Sequence, residues 1–134
     1  MTATLDSIVV QRGGVSYQVD IFPDSFTHPR DFDDHRYTPA DEANYGDGWQ
    51  FVSVSVTPVG HHLCATDFDG IEYGQSLRWQ VSIADLIKRA DAEDWFGEAH
   101  AKLITATTKN RSRWLQGIRR LMAAGRRALV SIVR

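Results

Sequence analysis

Hydrophobic and polar residues alternate with a period of two near the start of the chain, which is typical of half-buried β-strands. Two runs rich in β-branched residues, 7–12 and 15–22, flank the pair Gly13-Gly14. Glycine readily takes the positive φ angles that a tight turn between two strands requires. Residues 7–22 are therefore predicted to form a β-hairpin.

The same alternation returns at residues 49–57, where valines occupy every second position. Pro58 is expected to end or bulge this strand because proline cannot donate a hydrogen bond to the ladder. Residues 61–73 are predicted to form the partner strand, with a turn at Asp69-Gly70. These two hairpin-like units predict an antiparallel sheet of about four strands.

The period becomes helical at Ser82, which with Asp85 has the spacing of a helix-capping box. Residues 83–90 and 92–106 each place apolar side chains on one helical face. The pattern leaves open whether the two helices are continuous through residues 91–94. Because the strands come first and the helices follow, the predicted class is α+β.

Residues 23–48 show no apolar period and are interrupted by prolines and glycines. They carry seven acidic residues against Arg30 and Arg36. A long segment of this kind is predicted to be a surface loop, often with a function in binding. Its acids could imitate phosphates and capture a partner that normally binds nucleic acid. The candidate partner-binding residues are Asp31, Asp33, Asp34, Asp41 and Glu42.

The charge of the chain is divided unequally between its two ends. All 17 acidic residues lie in residues 1–108, beside seven of the 15 Lys and Arg residues. Residues 109–134 carry the other eight basic residues and no acid. The formal net charge of −2 therefore combines an acidic part with a basic one. We predict an acidic α+β domain over 1–108 and a basic, amphipathic helical tail over 109–134.

On a helical wheel the tail has an apolar stripe on one side and arginines on the other. Gly117 and Gly125 weaken such a helix by up to about 1 kcal/mol each, so it is expected to need a surface to fold against. That surface could be the acidic domain, an anionic membrane, nucleic acid, or a groove on another protein. The candidate membrane- or nucleic-acid-binding residues are Arg113, Trp114, Ile118, Arg119, Arg120, Leu121, Arg126 and Arg127.

Motifs for catalysis or metal binding are not evident. On a strand, His62 and Cys64 would share a face, but His28 and His35 would have to fold over them to complete a zinc site. The "DFDGIE" run departs from a calcium loop, whose final ligand position would fall on Arg78. Neither a phosphate-binding loop nor a nucleophile elbow occurs. The prediction is a non-enzymatic protein without metal or cofactor.

The start of the chain lacks the pattern of a signal peptide, and no stretch approaches the length of a membrane span. The single cysteine, Cys64, rules out an intrachain disulfide and is compatible with a reducing compartment. We therefore expect a cytoplasmic protein, which the basic tail could bring to the inner face of the membrane.

The "WQFV" strand at residues 49–52 and the "GIEYG" run at residues 70–74 resemble a group of small uncharacterised proteins of actinobacterial phages and prophages. Those proteins pair a W-x-F-V strand with W-G-I-E-Y-G and a helical part rich in alanine and glutamate. The resemblance covers residues 49–106. Asp69 stands where those proteins often have tryptophan, and the basic tail lies outside their pattern. It implies an accessory protein of a mobile element, with no catalytic residues to transfer.

These observations favour a non-enzymatic accessory protein that occupies a host partner through its acidic segment. The alternative is a peripheral membrane protein anchored by the C-terminal helix, or a non-specific nucleic-acid-binding protein. The sequence leaves the identity of the partner and the oligomeric state open.

Overall fold

The computed structural model describes residues 3–32 and 36–133, with side chains described as far as residue 123. A curled, antiparallel five-stranded sheet is followed by helices, which confirms the predicted α+β class. The strands, in the order in which they pair, are β1 (Asp6–Arg12), β2 (Val15–Pro23), β3 (Trp49–Pro58), β4 (Thr66–Gln75) and β5 (Gln80–Val81). The helices are α1 (Pro39–Ala43), α2 (Ile83–Ala92) and α3 (Trp95–Val133), with 3₁₀ turns at Pro29–Asp31 and His62–Cys64.

The predicted β-hairpin is present. Arg12 pairs with Val15 across Gly13-Gly14, whose φ angles of 59° and 78° are those that glycine tolerates. The sheet curls enough for the hydroxyl of Tyr73 on β4 to donate to the Asp6 carboxylate on β1, at 3.2 Å. The curl gives the sheet one inner face on which the helices pack.

The main core lies between that inner face and helices α2 and α3. Because successive side chains of a strand alternate between faces, every second residue of β2 and β3 points to the helices. Two aromatic contacts join the layers: Phe68 stacks on Trp95 at 4.3 Å between ring centroids, and Tyr17 meets Phe96 at 5.3 Å. Burial of such side chains contributes about 1.5–3 kcal/mol each. The buried members are Tyr17, Val19, Ile21, Val52, Val54, Val56, Ile71, Leu86, Ala90, Trp95, Phe96 and Ala99.

The capping box at the start of α2 is confirmed, since the Asp85 N–H donates to Ser82 Oγ at 3.3 Å and the Ser82 N–H donates to the Asp85 carboxylate at 2.8 Å. The two predicted helices are separate, because Asp94 takes a left-handed φ of 56° and turns the chain between them. α3 then continues for 39 residues, or about 58 Å. It passes the predicted domain boundary at residue 108 without a break.

Two predictions about the second hairpin are wrong. Residues 62–64 form a 3₁₀ turn instead of a strand, because β3 ends at Pro58 and the chain reverses at Gly60, where φ is 85°. Asp69-Gly70 is not a turn but part of a β-bulge within β4, where the pairing register shifts opposite Ser53. A φ of 68° at Gly70 absorbs the extra residue.

Gly74 on β4 lies close against the backbone of Gly48 and Trp49, at the start of β3. Its φ is 106°, and a Cβ there would lie 3.0 Å from the Cα of Trp49 and closer still to the carbonyl oxygen of Gly48. We expect Gly74→Ala to lower the free energy of unfolding by about 1–3 kcal/mol, measured by urea denaturation. Gly117→Ala is the matched control, because open space surrounds that position. Equal stability of the two variants would contradict the expectation.

Candidate functional site

The segment between β2 and β3 packs on the sheet face opposite the main core. Trp49 and Phe51 point to that face and are buried there. Between ring centroids, Trp49 lies 5.2 Å from Tyr37, 5.0 Å from Tyr45 and 5.0 Å from Trp79. We call Phe32, Tyr37, Tyr45, Trp49, Phe51 and Trp79 the aromatic cap. The segment predicted to be a loop is therefore a second, smaller core, with α1 and a 3₁₀ turn inside it.

Hydrogen bonds fix the aromatic cap on the sheet. The Trp49 indole N–H donates to the backbone carbonyl of Asp41 at 2.9 Å, and the Tyr45 hydroxyl donates to the carbonyl of Thr27 at 3.1 Å. The buried Asp24 carboxylate accepts from the Gly70 N–H at 2.9 Å, joining the segment to the bulge of β4. Although burial alone would raise the pKa of Asp24, hydrogen bonds from Thr27, Phe26 and Gly70 to its carboxylate lower it. The carboxylate is charged and structural.

Asp41 is not part of an exposed acidic surface, and its prediction as a partner-binding residue is wrong. Its side chain is 1% exposed, because it caps α1 through the Thr38 N–H at 2.9 Å and accepts from the Ser76 hydroxyl at 2.9 Å. The guanidinium of Arg78 forms an ion pair with it and is the largest cause of a pKa well below the usual range of a carboxyl group. Asp41 is the polar centre of the aromatic cap.

The other predicted acids have different surroundings. Asp31 and Glu42 are exposed, and the Asp31 carboxylate accepts from the His28 N–H at 2.8 Å to cap a 3₁₀ turn. Asp33 and Asp34 lie outside the described residues. Within the described part of this segment, two of the predicted acids remain available to a partner.

The "HHLC" run does not create a metal site in the described part of the chain. Cys64 is buried, whereas His61 and His62 are exposed on the 3₁₀ turn. His28 packs edge-on against Tyr45 in the aromatic cap, and His35 lies outside the described residues. Among residues 3–32 and 36–133, no three His, Cys, Asp or Glu side chains are placed to hold a metal ion.

Beyond the residues that line the body, α3 leaves most of its described apolar side chains, up to residue 123, uncovered. We call residues 109–123 the basic arm. Exposure is 65% for Trp114, 40% for Leu115, 74% for Leu121 and 57% for Met122, whereas Ala99 near the start of α3 is completely buried. Docking of this apolar face on the acidic domain is therefore excluded for the basic arm.

The predicted arm residues fall into three groups. Trp114 and Leu121 belong to the exposed stripe, and Ile118 between them is half-buried. Arg113, Arg119 and Arg120 are exposed. Arg126 and Arg127 belong to the helix, but their side chains are outside the described set. Among the described residues, no helix is both long enough and apolar enough to cross a membrane.

A groove of about 500 Å³ lies where the 3₁₀ turn His62–Cys64 meets α3. Its walls include His61 and His62 on one side and Lys109 and Arg113 on the other. Leu63, also in the wall, is 88% exposed. The sequence did not predict this groove, because it assigned the turn to a strand and the basic residues to an independent tail.

Comparisons with family models, curated proteins and solved structures found no match to this chain. The resemblance to phage and prophage proteins remains a prediction that depends on the two short motifs. The structure gives those motifs a packing role: Trp49 and Phe51 belong to the aromatic cap, and the motif glycines Gly70 and Gly74 form the bulge and the close approach of β4 to β3.

Proposed function

We propose that this protein is a non-enzymatic membrane-surface binding protein, whose basic arm lies in the headgroup region of an anionic bilayer. The single observation that carries the proposal is the uncovered apolar stripe of Trp114, Leu115, Leu121 and Met122 on a helix that leaves the body. Clustered apolar side chains at a protein surface commonly mark a site of interaction.

The charge of the arm supports a bilayer over other apolar surfaces. An interfacial helix combines an apolar face containing tryptophan or leucine with basic residues that attract anionic lipids. Arg113, Arg119 and Arg120 provide these basic residues, and residues 109–134 contain no acid. Each basic residue near an anionic membrane surface contributes about 1 kcal/mol. The acidic body, repelled by the same surface, would be held above it at the cytoplasmic face.

Two other partners fit the arm less well. Two copies of the stripe could pair, but their arginines would then approach one another and repel. Nucleic acid could attract the arginines, but the described stripe has apolar side chains where a base-reading surface has polar ones. A bilayer satisfies the stripe and the arginines together.

The proposal predicts binding to vesicles of phosphatidylglycerol and phosphatidylcholine, measured by co-sedimentation. Trp114→Asp combined with Leu121→Asp should weaken binding by at least about tenfold, because each inserted apolar side chain contributes about 1.5–3 kcal/mol. Leu77→Asp is the matched control, since Leu77 is an exposed apolar residue outside the arm. Equal binding by the double variant and the control would refute the proposal, as would equal binding to pure phosphatidylcholine.

A second candidate is capture of a host partner by the acidic body, the accessory role that the resemblance to phage proteins implies. Exposure of Asp31 and Glu42 favours it, whereas burial of Asp41 removes one residue from that surface. Partner capture that survives the arm variants but is lost on charge reversal at Asp31 and Glu42 would favour this candidate instead.

A further inference from the structure

We propose that the groove between the His62–Cys64 turn and α3 is a binding site for a phosphate monoester attached to an apolar group. The site is separate from the exposed stripe of the basic arm, and its assignment does not depend on membrane binding. The assignment depends on the basic side chains that line the groove and on the absence of described acids beside them.

The groove concentrates hydrogen-bond donors with positive charge. Lys109 and Arg113 are four residues apart on α3, so their side chains lie on the same side of the helix. Among the residues whose side chains are described, neither forms an ion pair or a hydrogen bond with another residue. No Asp or Glu among the described residues lines this groove. The two cations therefore face an opening in which no described side chain neutralises their charge.

His61 and His62 add donors from the opposite wall. A neutral imidazole donates one N–H, so each histidine can offer a hydrogen bond to an anion in the groove. The wall that carries them is anchored to α3, because Lys102 Nζ donates to the carbonyl of Ala65 at 2.6 Å, directly after the turn. Glu98 lines an adjoining groove, which shares Leu63, Cys64, Ala106 and Lys109 with this one, but Glu98 itself does not line the proposed site.

The chemistry of these side chains favours a phosphate monoester over other anions. A monoester carries a charge of about −1.5 to −2 near pH 7, which matches the two cations Lys109 and Arg113. The planar guanidinium of Arg113 can donate two parallel hydrogen bonds to phosphate oxygens, and lysine binds phosphate as a point charge. A carboxylate or a sulfate ester carries a single charge and would leave one cation unmatched.

The remaining walls of the groove suit an apolar substituent on the phosphate. Leu63 and Ala106 line it, with the buried Cys64 beneath them. Covering the exposed Leu63 side chain with an apolar group removes its surface from water, which makes binding of that group more favourable. The same chemistry occurs in a soluble aryl or alkyl phosphate and in the headgroup of a phosphatidic acid, so the test includes one probe of each kind.

Isothermal titration calorimetry of the full chain tests the site without any vesicle. The probes are phenyl phosphate, phenyl sulfate, and dioctanoyl phosphatidic acid below its micelle concentration. We expect phenyl phosphate to bind at least about tenfold more tightly than phenyl sulfate, because its second negative charge strengthens the charge-assisted hydrogen bonds to the two cations. Tighter binding of the phosphatidic acid would identify a lipid as the source, and tighter binding of phenyl phosphate a soluble metabolite.

Variants of the groove connect the binding to its residues. Lys109→Gln and Arg113→Gln should each weaken phenyl phosphate binding by about tenfold, and Arg113→Lys should restore part of the affinity. Lys88→Gln on α2 is the matched control for the loss of one exposed lysine. Absence of binding by all three probes, equal affinity for phosphate and sulfate, or indifference to both glutamine variants would overturn the assignment. Because no bilayer is present, these results stand apart from those of the vesicle experiment.

Discussion

Replacing Trp49 with alanine is expected to lower the free energy of unfolding by about 3–5 kcal/mol, the usual cost of removing a buried tryptophan. The indole is buried between Tyr37, Tyr45 and Trp79, and its N–H donates to the carbonyl of Asp41. Its removal would leave a cavity in the aromatic cap and an unpaired carbonyl beneath it. Since native proteins are stable by only about 5–15 kcal/mol, the loss is a large share of the total.

Chemical denaturation followed by circular dichroism would measure this effect, with Trp114→Ala as the matched control. Both variants remove an indole, but Trp114 lies on the basic arm with most of its surface in water. We expect the stability of Trp114→Ala to stay within about 0.5 kcal/mol of the parent protein. Similar losses in the two variants would mean that the segment between β2 and β3 is not packed on the sheet.

Acidification is expected to destabilise the fold through Asp41. The ion pair with Arg78 holds the pKa of this carboxyl below the value near 3.9 of the unfolded chain. A carboxylate with a lowered pKa stabilises the folded state above the unfolded value, and this contribution is lost as the pH falls below about 4. Asp41→Asn should therefore lower the stability at pH 7 by on the order of 2 kcal/mol and flatten the loss of stability below pH 4.

Urea denaturation at a series of pH values would measure both effects. Asp91→Asn is the matched control, because Asp91 also pairs with an arginine, Arg12, and its pKa is also lowered. That pair is exposed, and exposed pairs contribute about 0–1 kcal/mol. If Asp41→Asn and the parent protein lost stability in parallel on acidification, Asp41 would not be the group responsible.

The regular elements of this fold could be predicted because their periodicities are strong. Alternation along β2 and β3 reflects burial of every second side chain, and the Ser82–Asp85 spacing marks a local capping interaction that needs no distant partner. The error at residues 61–64 has a physical cause. A short run such as residues 61–64 fits a strand or a turn equally well, and the backbone geometry at Pro58 and Gly60 determines that it forms a turn.

The aromatic cap could not be predicted from periodicity, because its rings come from isolated positions in irregular chain. Tyr37, Tyr45 and Trp79 meet only after the sheet has formed. Asp41 shows the same limitation most clearly. In the sequence it is one acid among seven in its segment. Its burial as a charged group depends on Arg78, which is separated from it in the chain by β3 and β4. Pairing between distant residues distinguishes it from Asp31 and Glu42.

The basic arm represents an intermediate case. The wheel predicted its apolar stripe correctly as a pattern, since Trp114 and Leu121 share an exposed face. It could not predict what covers that face, because amphipathicity is the same for a docked helix and a free one. Likewise, the groove needs the 3₁₀ turn beside Lys109 and Arg113, and no local pattern specifies that contact.

The unbroken course of α3 also determines a direction. Each residue of an α-helix is rotated by about 100° from the one before it. The packing of Trp95 and Ala99 on the sheet therefore fixes the direction, about the helix axis, in which Trp114 points. One residue added between Ala106 and Arg113 would turn the stripe by that angle about the helix axis while leaving its composition unchanged. The number of α3 residues between the packed start of the helix and the exposed stripe therefore sets the orientation of the body over any surface that the stripe contacts.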